Sequence, residues 1–172
     1  LKKKFSSQQL VLKHDRRSPA LWVEDILLQQ ISGQISGLVT GPLSKPEIIL
    51  TGLQDLGHTD IIKRVTKSKT AYMAFVGKRF NVSLVTGHIP LREVAGNISV
   101  EKIVECCELT HELVQKISPQ KRKLPIALVG LNPHAGDSGL IGNEETLVKK
   151  AAQLLNKRGI KTAGPLVPDV CF

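Results

Sequence analysis

Aromatic residues are scarce in this chain: four Phe, one Trp and one Tyr among 172 residues. None of them interleaves with a cluster of Lys or Arg, which argues against a stacking platform for single-stranded nucleic acid. Cysteine is equally sparse. Cys106 and Cys107 are adjacent and Cys171 stands apart, so there is no C-x-x-C pair to found a zinc ribbon or a disulfide framework. Thiols so placed suit a reducing, cytoplasmic setting, with Cys106 or Cys107 serving as core packing. No apolar run approaches the roughly 18 residues needed to span a bilayer, which argues against a membrane protein. The opening Leu-Lys-Lys-Lys-Phe-Ser-Ser has no apolar stretch behind its cations, so it does not read as a signal peptide. The sequence starts at Leu1 rather than Met, as a piece of a longer protein would.

Two glycine signatures are missing as well. Thr40-Gly41-Pro42-Leu43-Ser44-Lys45 has the flavour of an anion loop but lacks the G-x-x-x-x-G-K-[ST] order of a nucleotide P-loop. No G-x-G-x-x-G occurs, so there is no Rossmann fingerprint for a dinucleotide.

What is present is ordinary globular material, 41% hydrophobic and 23% charged, long enough to bury a core. Cations dominate, 24 Lys and Arg against 15 Asp and Glu, for a net charge of +9. The excess is uneven: Lys2, Lys3, Lys4, Lys13, Arg16 and Arg17 precede residue 18, opposed by Asp15 alone. Residues 1–17 therefore read as a basic arm. It is either solvated or drawn to an anionic partner, nucleic acid or a phosphorylated metabolite. Residues 18–172 form the folded portion.

Patterning predicts an α/β fold, a mixed sheet with flanking helices. Ser18-Pro19 starts a helix that carries Leu21, Val23, Ile26, Leu27 and Ile31 and stops near Gly33. Ile35 to Val39 reads as a buried strand ending at Thr40-Gly41-Pro42. Residues 71–76 and 80–86 read as a hairpin about Gly77-Lys78-Arg79. Ser99 caps a helix whose apolar face is Ile103, Cys106, Leu109, Leu113 and Ile117. Ile126 to Leu131 is a continuous apolar run of the kind that fills a central strand. The last helix has Glu144 and Glu145 at its start and Lys157, Arg158 and Gly159 at its end, and a strand edge returns over residues 160–164.

Three histidines sit in Gly/Pro loops: Gly57-His58-Thr59-Asp60, Thr86-Gly87-His88-Ile89-Pro90 and Asn132-Pro133-His134-Ala135-Gly136. His88 and His134 each follow a strand, where loops converge on ligands in open α/β sheets. Neutral imidazole is a common metal ligand, and the pair would make half of a divalent site; hydrogen bonding within the loops is the plainer alternative. His14 and His111 read as surface residues.

These blocks, in this order, resemble one family. Leu38-Val39-Thr40-Gly41-Pro42-Leu43-Ser44-Lys45, Gly57-His58-Thr59-Asp60 and Leu84-Val85-Thr86-Gly87-His88-Ile89-Pro90-Leu91 come first. Gly130-Leu131-Asn132-Pro133-His134-Ala135-Gly136-Asp137, Gly142-Asn143-Glu144-Glu145 and Gly164-Pro165-Leu166 follow. Together, from about residue 34 onward, they look like the 4-hydroxythreonine-4-phosphate dehydrogenase family of vitamin B6 (pyridoxal 5'-phosphate) biosynthesis.

The resemblance implies oxidation of 4-phosphohydroxy-L-threonine by NAD, then loss of carbon dioxide to give 3-amino-2-oxopropyl phosphate. It implies a divalent metal (Zn, Mg or Co) held by three histidines and acting as a Lewis acid. His88 and His134 match two of the metal ligands, His58 and Thr59 a substrate-contacting pair, and Asp169 an acidic position near the site. An isocitrate/isopropylmalate dehydrogenase-like α/β fold and a homodimer are implied too, with sites built between domains and subunits. The family's G-[DE]-P-A-G-I-G-P block has no counterpart here. Nor do its Y-H-D-Q-G motif with the third metal histidine, its substrate-gripping Lys, Asn and Arg, and a His-Gly-Thr-Ala segment near the cofactor. Leu140 stands where some members have another His, and Leu56 replaces a polar residue. The fold would thus lack N- and C-terminal parts, and the chain alone would have little or no dehydrogenase activity. The alternative is a non-catalytic remnant that dimerises and binds metal or phosphate.

Overall fold

A computed structural model describes residues 18–171; the basic arm over 1–17 lies outside the described residues. Two compact units meet at residues 71 and 72.

The first unit is helical. α1 (Pro19–Ile31) begins as its sequence requires: Ser18 stays extended, its Oγ accepts from the Ala20 N–H at 3.4 Å, and Pro19 takes the first helical position. Gly33, at φ 78°, ends the turn that follows. α2 (Lys45–Leu50) and α3 (His58–Thr66) pack Ile48 and Ile61 against Ala20, Val23 and Leu27 of α1. An ion-pair network joins α1 to α3. The Arg64 guanidinium donates from Nε to Asp55 Oδ2 at 3.0 Å and from Nη2 to Glu24 Oε2 at 3.1 Å.

The buried strand expected over Ile35 to Val39 does not form. The segment is irregular, and Val39 is 98% exposed. The reason is pairing: a strand exists through its ladder, and this unit offers no second strand among its described residues.

The second unit is α/β. β1 (Met73–Val76) and β2 (Asn81–Leu84) form the expected antiparallel hairpin, with Phe75 opposite Val82. β3 (Ile126–Val129) pairs in parallel with β4 (Thr162–Leu166), with an irregularity between Ala127 and Val129. α4 (Val100–Ile117) and α5 (Glu145–Lys157) complete the unit. The core joins Ile103, Val104 and Cys107 of α4 to Leu128 of β3 and to Val148, Ala151, Ala152 and Leu155 of α5. One mixed sheet was expected; the strands instead form two separate two-stranded sheets, because β2 and β3 are not hydrogen-bonded to each other.

Both helix starts and stops follow local rules. Ser99 Oγ accepts from the Lys102 N–H at 3.2 Å, and Gly159 at φ 83° comes directly after Arg158, the C-cap of α5. The buried face of α4 differs from the expected one. Ile103 and Cys106 are buried, but Leu109 and Ile117 are exposed while Val104 and Cys107 are covered. α4 packs on α5 along one side and on β2 along another, which turns its centre of burial toward residues 103–107.

Candidate metal and substrate site

The loop after β3 is where local sequence does most to fix a candidate side chain, His134. Asn132 Oδ1 accepts from the backbone N–H of His134 at 3.1 Å and of Gly136 at 2.9 Å, an Asx turn that folds the Asn-Pro-His segment back on itself. Ala135, Gly136 and Asp137 then take φ of 49°, 71° and 44°. Two non-glycine residues in the left-handed region cost about 1–2 kcal/mol each, and such strain collects at functional sites. His134 itself is exposed, at the head of a short 3-10 turn over Ala135–Gly139.

Beneath this loop lies Glu145, the first residue of α5. It is 6% exposed, and neither carboxylate oxygen has a hydrogen-bond partner among the described residues. It packs against Gly130 and Gly136, where any Cβ would meet it. A buried carboxylate without a donor is costly. In the sequence it reads as a first-turn acid complementing the helix dipole, which hides the fact that a loop closes over it. His134, Asp137, Asn143, Glu145 and Lys149 line a cavity of about 380 Å³, with Pro165 and Val167 of the β4 side opposite.

His88 also follows a strand, four residues past β2, and is exposed. It does not line the cavity at His134, and neither does Asp169, which is exposed in the 3-10 turn Pro168–Val170 beyond β4. His58 and Thr59 are in the first unit, as the first two residues of α3. Thr59 is exposed; His58 is half-buried, and its Nε2 has no partner among the described residues. Asp60 Oδ2 accepts from the Leu56 N–H at 2.9 Å and so holds the turn that presents this pair.

The donor chemistry at His88 and His134 suits a divalent transition metal in kind, since both rings are exposed imidazoles. In number it falls short: no group of three metal-ligating side chains occurs among the described residues, whereas a catalytic site takes three protein ligands and leaves one position open. On the described residues these two histidines do not by themselves make a catalytic metal site, and no reaction step is built on them.

Comparison with known proteins now gives these loops a context. The family described as pyridoxal phosphate biosynthetic protein PdxA matches residues 20–172. The 4-hydroxythreonine-4-phosphate dehydrogenase of Sulfurihydrogenibium sp. (strain YO3AOP1) is 36% identical over 162 residues, 93% of this chain but 50% of that protein. The enzyme of the same name from Aquifex aeolicus is 36% identical over 144 residues, 83% of this chain and 44% of its own length. Among solved structures, the Klebsiella pneumoniae 4-hydroxythreonine-4-phosphate dehydrogenase superposes with a TM-score of 0.81 at 26% identity. It covers 89% of this chain and 46% of its own. That from Burkholderia phymatum gives 0.76 at 27% identity, covering 92% and 50%. The chain spans about half the length of the curated relatives it matches.

Proposed function

The chain belongs to the PdxA family of pyridoxal phosphate biosynthetic proteins, and on that footing we propose that it is the central portion of a 4-hydroxythreonine-4-phosphate dehydrogenase. The whole enzyme oxidises 4-phosphohydroxy-L-threonine with NAD and releases carbon dioxide to give 3-amino-2-oxopropyl phosphate, as a cytoplasmic homodimer with an isocitrate dehydrogenase-like fold. The observation that carries this reading is the coincidence of sequence match and loop geometry. The family match runs through all the histidine loops, and the Asn-Pro-His loop is held by an Asx turn and three consecutive left-handed residues.

Within that reading, His88 and His134 supply two ligands to a divalent metal, whose contribution when bound is Lewis-acid polarisation of the substrate's oxygen. His58 and Thr59 contact the phosphorylated substrate, and the burial of His58 Nε2 without a partner among the described residues marks it as a polar atom in want of one. Asp169 is the acidic residue near the site. The residues that bind NAD are unassigned.

The incomplete donor set makes a definite expectation for the isolated chain. With NAD, Zn, Mg or Co, and 4-phosphohydroxy-L-threonine, NADH formation stays at background; robust turnover overturns the proposed incompleteness. Metal titration tests the ligand assignment, which a non-catalytic remnant would share: weak binding of Zn that is lost in both His88→Ala and His134→Ala supports it. Binding unchanged in both variants refutes it.

A further inference from the structure

In the second unit the turn between β1 and β2 is tied to the connection that leads from α4 into β3. Lys121 Nζ donates to the Gly77 carbonyl at 2.8 Å and to Asn81 Oδ1 at 3.2 Å. Asn81 Nδ2 in turn donates to Oγ of the buried Ser118 at 3.2 Å. Gly77 and Lys121 stand 44 positions apart in the chain, so what they bring together is invisible to a local reading of the sequence. The contact gathers cations. Lys78, Arg79, Arg122 and Lys123 are all exposed, and no Asp or Glu occurs from Tyr72 to Arg92 or from Leu113 to Gly136. Lys116, in the last turn of α4, is accounted for: it faces Glu112 at 4.0 Å and complements the helix dipole. Among the described residues none of the other four forms an ion pair.

Apolar side chains stand among these cations. Phe75 and Val76 end β1, Phe80 immediately precedes β2, and Leu124 follows Lys123; each is more than half exposed. Charge of one sign calls for an anionic partner, and the apolar side chains decide which. Val76 and Leu124 are aliphatic and have no use for stacked bases, which bind on aromatic platforms. A bilayer with anionic headgroups suits both sets: the headgroups take the Lys and Arg ends, and the acyl boundary beneath takes Phe, Val and Leu. β2 and β3 each start at this end and run toward the loops of His88 and His134. A bilayer held here therefore lies at the far end of the strands from those histidines.

We propose that this end of the second unit docks on the surface of an anionic lipid bilayer. Lys78, Arg79, Arg122 and Lys123 meet the headgroups, while Phe75, Val76, Phe80 and Leu124 reach the acyl boundary. The contact is peripheral, for no helix among the described residues is long and apolar enough to cross a membrane. The inference rests neither on the dehydrogenase reading nor on the metal ligands.

The test is co-sedimentation of the full chain with vesicles of phosphatidylcholine, alone or with about 30% phosphatidylserine. The chain binds the mixed vesicles and not the neutral ones, and added salt weakens the binding. Each cation near such a surface is worth about fivefold in affinity, so Lys78→Gln/Arg79→Gln lowers it roughly 25-fold, and Arg122→Gln/Lys123→Gln does the same. Leu124→Ser lowers it about tenfold, which attraction between charges alone does not predict. All five side chains are exposed, so melting by circular dichroism stays at the wild-type value, and the two double variants, in separate segments, check each other. Changing Lys2, Lys3 and Lys4 to Gln controls for the basic arm and leaves the affinity within about fivefold. No binding to mixed vesicles overturns the proposal, as does binding lost in the arm variant and kept in both double variants. An affinity unchanged by Leu124→Ser overturns it too, because the surface then takes any polyanion. So does tighter binding to single-stranded RNA than to the vesicles at the same salt, which would make nucleic acid the partner.

Discussion

Gly136→Ala tests the claim that the His134 loop is clamped onto α5. Two costs apply. The residue has φ 71°, which an L side chain adopts at about 1–2 kcal/mol. A Cβ there would also stand 2.8 Å from the backbone oxygen of Gly142 and 3.0 Å from the Glu145 carboxyl carbon, overpacking worth about 1–3 kcal/mol more. Gly159→Ala in the same unit is the control: φ is 83°, but a Cβ would meet nothing within 4 Å, so only the first cost is incurred. In a unit of about 100 residues each kcal/mol moves Tm by roughly 4–8 °C. Thermal melting of the second unit by circular dichroism therefore places Gly136→Ala at least about 4 °C below Gly159→Ala. The double variant Gly136→Ala/Glu145→Ala removes part of the clash, and recovers part of the loss as a coupling between adjacent residues. Equal melting of the two glycine variants, or a double variant whose effects simply add, would refute the clamp.

Three further outcomes follow from burial and charge. Burial raises the pKa of both core thiols, that of Cys107 to about 12, so Cys107 is about one part in ten thousand thiolate at pH 8. Ellman's reagent should find one fast thiol, Cys171, in the native protein and all three in denaturant; three fast thiols would contradict the packing. The same shifts set an alkaline limit. Groups whose folded pKa is raised hold their full stabilising effect below the unfolded pKa, about 8.5 for Cys and about 10 for Tyr, and lose it as pH rises toward the folded value. Tyr72, raised by burial and by its 2.8 Å hydrogen bond to Glu105, has the same sign as Cys107. The urea midpoint should fall steadily from pH 8.5 to 11 and less so in Cys107→Ala, and a flat profile would count against the shifts. In the first unit, Asp55→Asn should cost about 1–2 kcal/mol, since Asp55 is buried but Arg64 is partly exposed and screened; Glu24→Gln should cost less than about 1. Urea denaturation that reverses this order would show that the network is not centred on Asp55.

Local physics was readable in the sequence and non-local pairing was not. The caps at Ser18 and Ser99, the stop at Gly159 and the hairpin about Gly77 depend on residues a few positions apart, and all formed as expected. A strand depends on a partner elsewhere, and here the reading failed twice. Ile35 to Val39 has an apolar run fit for a sheet and no strand in its unit to pair with. The expected mixed sheet divides because β2 and β3 have no strand between them. The site divides the same way. Glycine, proline and asparagine announce the His88 and His134 loops, whereas the burial of Glu145 depends on a loop closing over a helix start, which no local pattern reports.

These failures share a cause. An apolar run such as Ile126 to Leu131 reflects the full set of neighbours it meets in the folded protein, and its composition is that of a strand covered on both sides and paired at both edges. In the structure β3 is paired at one edge, and Ala127 is exposed. The composition therefore describes a strand with more neighbours than the described residues supply. The same argument applies to chemistry: two exposed imidazoles, with no group of three metal-ligating side chains among the described residues, fall short of the three protein ligands that a catalytic site takes. If a third ligand comes from outside the described residues, then adding the unmatched half of a relative should raise Zn affinity, and His134→Ala should lower it again; an affinity that the added polypeptide leaves unchanged would refute the argument.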